Sequence, residues 1–268
     1  MTTPAVSVLM PVYNVGEYLR DGIDSILEQT FTDFEFIIVN DGSTDGSLEI
    51  IKSYSDPHIR YTSNEKNEGL IYTLNKGLEM CKGRYIARMD GDDVSHVDRL
   101  KLQYEYMEQN PEIDVLASCV RIIDENGKEL DPWKDDINHV SRKSIRNFLS
   151  INNCIAHPTV MIKGDVLREY RYNPLQKLSE DYDLWLRMTA DGKVIEKLKQ
   201  PLLNHRYLLT SFTRTRNVNI YFKLMRVKLG FVKSRILAGE MNSFVLRTLL
   251  YSLFDGLKGI GKKLSERW

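Results

Sequence analysis

The sequence predicts an α/β fold built on a mixed, mostly parallel sheet flanked by helices, with a C-terminal helical extension. Three observations predict it. Short apolar runs alternate with helically spaced apolar residues through the first 118 positions, the strand-and-helix rhythm of a parallel sheet. Two polar loops, Asn40-Asp41-Gly42-Ser43-Thr44-Asp45-Gly46 and Met89-Asp90-Gly91-Asp92-Asp93, each follow directly on a predicted strand. With 268 residues, 42% of them apolar and 28% charged, the chain can build one sizeable core or two modest ones. Its 16 Gly and 8 Pro exclude a collagenous or low-complexity chain.

The first strand is Val6–Met10, followed by a helix whose apolar face is Tyr18, Leu19, Ile23, Ile26 and Leu27. Phe34–Val39 repeats the strand and Leu48–Tyr54 the helix. Ile59–Thr62, a helix over Gly69–Met80 (Leu70, Leu74, Leu78), a strand at Arg84–Arg88 and a helix near Val97–Met107, stopped by Asn110-Pro111, continue the pattern. From Ile113 the rhythm changes. Two β-like runs, Val115–Ser118 and Val120–Asp124, approach the turn Glu125-Asn126-Gly127-Lys128, which predicts a mixed or antiparallel addition to the sheet. An extended Pro158–Ile162, a helix from Glu180 to Thr189 and a strand at Leu202–Tyr207 follow, and everything after Thr215 reads as helix.

Three cysteines, Cys81, Cys119 and Cys154, lie far apart with no C-x-x-C pair, so neither a zinc knuckle nor a disulfide framework is readable and a reducing compartment fits. The start, Met1 to Val8, lacks the basic and apolar regions of a secretory signal, and a cytoplasmic location is expected.

Each polar loop has two readings. The first is a strand-to-helix turn capped by Ser or Asp, or a ligand loop at the carboxyl end of a parallel strand. The second is an acidic solvated turn, or a cation site, because three carboxylates in four residues repel one another unless a cation neutralises them. Hard oxygen ligands favour Mg2+ or Mn2+ shared with substrate phosphates; the ligand spacing of an EF-hand is missing. The turn Pro11-Val12-Tyr13-Asn14 carries neither G-x-G-x-x-G nor a P-loop.

Six segments in order over about the first 210 residues resemble the inverting glycosyltransferases of family 2, with the glycosyltransferase-A fold. They are Ser7-Val8-Leu9-Met10-Pro11-Val12-Tyr13-Asn14, the Asn40–Asp45 loop, Asn67-Glu68-Gly69 with Leu74-Asn75-Lys76-Gly77, Ala87-Arg88-Met89-Asp90-Gly91-Asp92-Asp93, His157-Pro158-Thr159-Val160, and Glu180-Asp181-Tyr182-Asp183-Leu184-Trp185-Leu186-Arg187. The resemblance implies that Pro11, Val12, Tyr13 and Asp41 line a base and ribose pocket, Asp41 accepting a hydrogen bond from the base edge. It implies that Asp92 is the principal ligand of Mg2+ or Mn2+, that Asp90 holds ribose or a metal-bound water, and that Asp181 is the general base. Asp93 orients its neighbours, Arg88 contacts the donor or is a salt-bridged structural residue, and His157 is structural. Arg206 matches a position where relatives carry Arg, but Leu208 stands where a His follows, with His205 a weak substitute. The expected reaction is metal-dependent inverting transfer from a nucleoside diphosphate sugar, a UDP-sugar first, to a hydroxyl of a glycan or polyprenyl-linked acceptor in bacterial surface polysaccharide assembly. The alternatives are a sugar-phosphate nucleotidyltransferase, disfavoured by the absence of a Gly-rich basic loop after the first strand, and a non-catalytic glycan-binding protein.

The zero net charge is two opposite halves: 24 Lys+Arg against 34 Asp+Glu through His205, and 13 against 3 after it. Residues 211–268 therefore read as a basic amphipathic tail beside a catalytic domain of residues 1–210. Its longest apolar stretch, Thr248–Phe254, is far short of the roughly 20 residues a bilayer span needs. Apolar groups (Ile220, Leu224, Val227, Phe231, Phe244, Leu249, Leu253) alternate with Lys223, Arg226, Lys228, Lys233, Arg235 and Arg247. That pattern suits helices lying on an anionic membrane surface, or a helical subdomain packed on the sheet or on a second copy. No nucleic-acid reader motif accompanies the charge, so no nucleic acid partner is expected.

Overall fold

The computed structural model describes residues 3–176, 179–208 and 219–265. Among them one sheet contains β1 (Val6–Val12), β2 (Phe34–Asn40), β3 (Ile59–Ser63), β4 (Tyr85–Arg88), β5 (Val94–Ser95), β6 (Val115–Ile123), β7 (Met161–Lys163) and β8 (Ile195–Arg206), in the order β3-β2-β1-β4-β7-β6-β8-β5. β1 is parallel to β2 and β4, and β2 to β3. β7 runs antiparallel to β4 and β6, while β8 is parallel to β6 and antiparallel to β5. The mixed addition expected beyond Ile113 is thus made by β6, β7 and β8.

The helices are α1 (Gly16–Leu27), α2 (Ser47–Lys52), α3 (Leu70–Met80), α4 (Arg99–Gln109), α5 (Lys134–Asn138), α6 (Arg142–Leu149), α7 (Gly164–Tyr170), α8 (Glu180–Ala190), α9 (Ile220–Leu237) and α10 (Ser243–Ser265). Strand side chains alternate between faces, and the central strands are apolar on both. Leu9, Ile37, Val39 and Ile86 share one core with Leu74 and Leu78 of α3 and with Leu184 and Trp185 of α8. Val8, Met10, Phe36, Ile38 and Ala87 share the other with Leu19, Ile23 and Ile26 of α1 and Leu100 of α4. At about 1.5–3 kcal/mol for each fully buried large apolar side chain, these two layers hold the ends of β1, β2 and β4 side by side.

Several expectations need correction. The runs 115–118 and 120–124 are one strand, and the limb returning from the Glu125–Lys128 turn is reduced to the bridge between Ile123 and Glu129. Pro158 lies in a 3-10 turn, His157–Thr159, and strand geometry starts only at Met161. β8 starts at Ile195, seven residues before the expected Leu202. Its pairing with β6 slips around Ser118, Cys119 and Val120, where Pro201 lacks an N–H to give the ladder. The polar stretch Lys199-Gln200-Pro201 at that slip hid the strand's first half from the sequence.

The tail is joined to the body. Val227, Phe231 and Val232 of α9 and Phe244 and Val245 of α10 are buried in the same core as Leu184 and Trp185. Arg235 of α9 pairs with Asp191 at 2.6 Å, and Arg247 of α10 donates to Asn147 and to the Arg146 carbonyl. The subdomain alternative therefore describes the inner face, and Lys228, Arg235 and Arg247 point at protein. The first residues of the proposed tail, 211–218, lie outside the described residues.

α1 approaches the acidic strand-end loop so closely that a Cβ on Gly22 would stand 2.7 Å from the Gly91 carbonyl oxygen and 3.2 Å from that of Asp93. Gly22→Ala is expected to displace that loop and lower stability by about 1–3 kcal/mol, the usual cost of overpacking. Urea unfolding checks it, and an unchanged midpoint would show that the loop yields without cost.

Candidate active site

The parallel register places Val12 beside Asn40 and Leu9 beside Arg88, so both polar loops leave the sheet at the carboxyl ends of the two strands that flank β1. Short side chains sew the turn after β1 to the one after β2. The Asn14 N–H donates to Ser43 Oγ at 3.1 Å, Asn14 Oδ1 accepts from the Thr44 N–H at 2.8 Å, and Asp45 Oδ2 accepts from the Gly16 N–H at 2.8 Å. Asn14 itself sits at φ 51°, a left-handed geometry Asn tolerates better than most residues.

Asp41 is buried and ties a third loop to this pair. Its Oδ1 accepts from Asn64 Nδ2 at 2.7 Å and from the Glu68 N–H at 2.9 Å, and its Oδ2 from the Gly69 N–H at 2.9 Å. Three of its acceptor positions are thus filled, and one lone pair of Oδ2 is left. The next residue must be glycine: Gly42 has φ +67°, and a Cβ there would meet the Lys66 backbone at 2.5 Å. Pro11 and Val12 are buried in the strand end, whereas the Tyr13 ring is 45% exposed at the mouth of the crevice.

The second loop gathers negative charge. Ligand atoms of Asp90, Asp92 and Asp93 lie within 4.8 Å of one another. Asp90 is held by both terminal nitrogens of the buried Arg88. Asp93 is fully buried and accepts from His205 Nδ1 at 3.0 Å and from the Arg206 N–H at 2.9 Å. Asp92 makes no ion pair among the described residues. Burial, then the charges of Asp93 and Asp90, push its carboxyl up to about 7 against the opposing pull of His205. Burial alone would lower the His205 imidazole, but the Asp93 carboxylate outweighs it and raises the group to about 9. Crowded carboxylate oxygens of this kind suit a hard divalent ion.

Two arginines support the loop from behind. Arg206 donates through Nε to the Asp92 carbonyl at 3.0 Å and through Nη1 to the Glu125 carbonyl at 3.0 Å, with its guanidinium 4.5 Å from the Tyr18 ring centroid. Those contacts make it a clamp of the chain rather than a free hand for a diphosphate. Arg99, fully buried, donates to the Arg88 carbonyl at 2.8 Å and to Gln103 Oε1 at 3.0 Å, and burial lowers its guanidinium to about 9. Sequence reading missed Arg99, since an arginine at a helix start normally reads as solvated.

The facing wall is the first turn of α8. Glu180 lies 3.6 Å from Nδ1 of the buried His157, whose Nε2 meets Tyr172 Oη at 2.9 Å. Burial by itself would raise Glu180, yet the neighbouring His157 holds it below the ordinary glutamate range. Asp181 goes the other way, raised by burial and by the Glu180 charge. Its Oδ2 accepts from Asn153 Nδ2 at 2.8 Å. The Tyr172 phenol is raised by burial, Arg88 opposes, and Glu180, Asp181 and Asp90 add to the rise. The acidic loop and the α8 carboxylates therefore border one space. Asn153 and Tyr172 had no signal in the sequence, because a polar residue in a loop is unremarked until its partner is known.

A carboxylate cluster at a parallel strand end, together with a half-buried, raised carboxylate at the start of α8, is an arrangement that suits an enzyme of the glycosyltransferase-A fold. The sequence model described as glycosyl transferase family 2 matches residues 7–171, and the chain belongs to that family. It is 38% identical over 210 residues to an uncharacterized glycosyltransferase of Methanocaldococcus jannaschii, covering 77% of this chain and 72% of the relative. It is 38% identical over 206 residues to the O-antigen biosynthesis glycosyltransferase WbnJ of Escherichia coli, covering 75% and 79%. Among solved structures, S. aureus TarS in complex with UDP-GlcNAc superimposes with a TM-score of 0.73 at 18% identity, covering 94% of this chain and 72% of that one. The mannosyltransferase PcManGT from Pyrobaculum calidifontis, in complex with GDP-Man and Mn2+, gives 0.62 at 14% identity, covering 99% and 76%.

Asp41→Ala leaves the Asn64 amide and the Glu68 and Gly69 N–H groups without their acceptor. A loss of about 3 kcal/mol in unfolding free energy is expected, the scale of buried hydrogen bonds to a charged group. Urea unfolding of the unliganded protein measures it, and a loss below about 0.5 kcal/mol would mean that water replaces the carboxylate freely.

Proposed function

We propose that this glycosyltransferase transfers a sugar from a UDP-sugar to a hydroxyl of a glycan or polyprenyl-linked acceptor, with inversion and with a divalent ion. The observation that carries the reading is the pairing of walls: the carboxylates of Asp90 and Asp92 on one side and Asp181, raised by burial, on the other. Pro11, Val12, Tyr13 and the free lone pair of Asp41 Oδ2 are assigned to the nucleoside. Asp92 would hold Mg2+ or Mn2+ with Asp90 beside it, and such an ion supplies the positive charge that a departing diphosphate needs.

Asp181 then takes the proton of the acceptor hydroxyl while that oxygen attacks the anomeric carbon from the side opposite the diphosphate. One displacement inverts the configuration. A carboxylate raised toward the working pH is a better base than an ordinary aspartate, and Asn153 occupies one of its oxygens, leaving the other for the hydroxyl. The UDP-GlcNAc complex of TarS and the O-antigen assignment of WbnJ support a UDP-sugar and surface polysaccharide assembly. The Mn2+ in the PcManGT complex supports a divalent ion. Family membership sets the nucleotidyltransferase alternative aside.

The same reading places the protein on the inner face of a membrane. Leu246, Leu250, Leu253, Phe254, Leu257 and Ile260 of α10 are exposed at helical spacing, with Lys258 and Lys263 on the same helix and Arg226 and Lys233 exposed on α9. That combination suits an interfacial helix on anionic lipid. No helix among the described residues is long and apolar enough to cross a bilayer.

A panel of nucleoside diphosphate sugars assayed with Mn2+ or Mg2+ tests the reaction. Nucleoside diphosphate release, inversion at the product's anomeric carbon and loss of turnover in EDTA are expected; pyrophosphate release or no turnover with any donor would refute it. Asp92→Asn should weaken both Mn2+ and diphosphate binding, whereas Asp181→Asn should retain donor affinity and lose about 10²-fold or more in turnover. For the membrane, wild type should float with anionic liposomes and detach as salt rises. A Leu250→Glu/Leu257→Glu variant should stay behind, and equal flotation of the two would end the docking reading.

A further inference from the structure

The candidate base is oriented by a loop, and that loop is held by the C-terminal helices. Asn153 Nδ2 donates to Asp181 Oδ2 at 2.8 Å, while Asn153 Oδ1 accepts from the Ile155 N–H at 3.0 Å. An ionised carboxylate only accepts and a backbone N–H only donates, so a single orientation of the amide satisfies both. On one side of Asn153, Lys228 of α9 donates to the Ile151 carbonyl at 2.6 Å. On the other, Lys197 of β8 donates to the Cys154 carbonyl at 2.5 Å.

Both lysines are fully buried, and each is fixed by its own carboxylate. Lys197 pairs with Asp136 at 2.7 Å, and Lys228 with Asp255 of α10 at 2.6 Å. Burying an ion pair adds little net stability compared with apolar residues of the same size, but an ammonium aims its protons at chosen acceptors. Here the chosen acceptors bracket Asn153.

We propose that α9 and α10 are a positioning element of the active site: through Lys228 and Asp255 they fix the loop at Ile151, and with it the Asn153 amide that orients Asp181. This rests on the reading of Asp181 as the base. Lys228, Asp255 and Asn153 are positioning residues.

The test uses the full chain and reads the Asp181 carboxyl directly by 13C NMR titration without any donor, alongside kcat and donor KM from the panel above. The charged and titratable groups acting on Asp181 include Glu180, His157, Arg88, Tyr172 and Tyr182, and all five stay in place in every variant. Asn153→Ala removes a donor that favours the charged form, so the Asp181 titration should move up by about one pH unit and the acid limb of kcat should move with it. Asn153→Asp keeps an oxygen for the Ile155 N–H but sets a carboxylate against Asp181, and should move it further. Lys228→Met/Asp255→Leu removes both charges, so neither is left buried alone. It should raise the Asp181 titration and lower kcat at least 10-fold with donor KM unchanged. Asp255→Asn keeps an acceptor for the Lys228 ammonium and so its contact with the Ile151 carbonyl; it should move the Asp181 titration less than the double variant, and an equal shift would count against the proposal.

An unmoved Asp181 titration in a folded Lys228→Met/Asp255→Leu protein overturns the proposal. So does an unmoved titration in Asn153→Ala, which keeps the test decisive if the double variant fails to fold. Full turnover in Asp181→Asn would remove the base reading and the proposal with it, an outcome told apart from a failed positioning role by the titrations, which need no turnover.

Discussion

Negative charge crowded into the loop at the end of one parallel strand, β4, is the constraint around which this molecule is arranged. Asp90, Asp92 and Asp93 stand within 4.8 Å of one another in a half-buried crevice, where their repulsion is screened far less than in water. The chain answers with positive charge and N–H donors drawn from distant segments: Arg88 to Asp90, His205 and the Arg206 N–H to Asp93, and the Arg206 guanidinium to the backbone beneath Asp92. Arg99 braces the strand end through the Arg88 carbonyl. Asp92 alone of the three has no ion pair among the described residues.

The opposite wall divides two adjacent carboxylates by environment. Glu180 has an imidazole beside it and stays ionised readily; Asp181 is driven toward neutrality by burial and by the Glu180 charge, against the donated Asn153 N–H. Two adjacent acids thereby acquire opposite shifts, a separation set by environment rather than by residue type. His157, expected to be structural, tunes that division from within the core.

The parallel half of the sheet was legible because β1, β2 and β4 are apolar on both faces, and α1 and α3 carry one apolar stripe each. Asp90 and Asp92 stood out because three carboxylates in four residues repel one another, whereas Asp41 and Asp181 were picked out by the family resemblance alone. What stayed hidden was short or relational. β5 has two residues and exists by pairing with Leu203 and Asn204, and α5 to α7 are too brief to show a period. Asn153 and Arg99 gain meaning from groups 28 and 11 residues away. The charge split of the tail was legible, but not its division: Lys228, Arg235 and Arg247 serve the interior, while Arg226, Lys233 and Lys258 remain outside.

The contact between His205 and Asp93 spans 112 residues, and the one between Arg206 and Asp21 spans 185. During synthesis, β1 to β4 emerge long before β8, so the N-terminal layers can collapse while the acidic loop still lacks its counter-charges. Closure of the site is thus a late, long-range event that waits for the strand at Asn204 to Arg206 to dock, the kind of non-local step that slows folding. A nascent or truncated chain ending before His205 keeps the Arg88–Asp90 pair but carries Asp93 without the imidazole and the N–H that hold it.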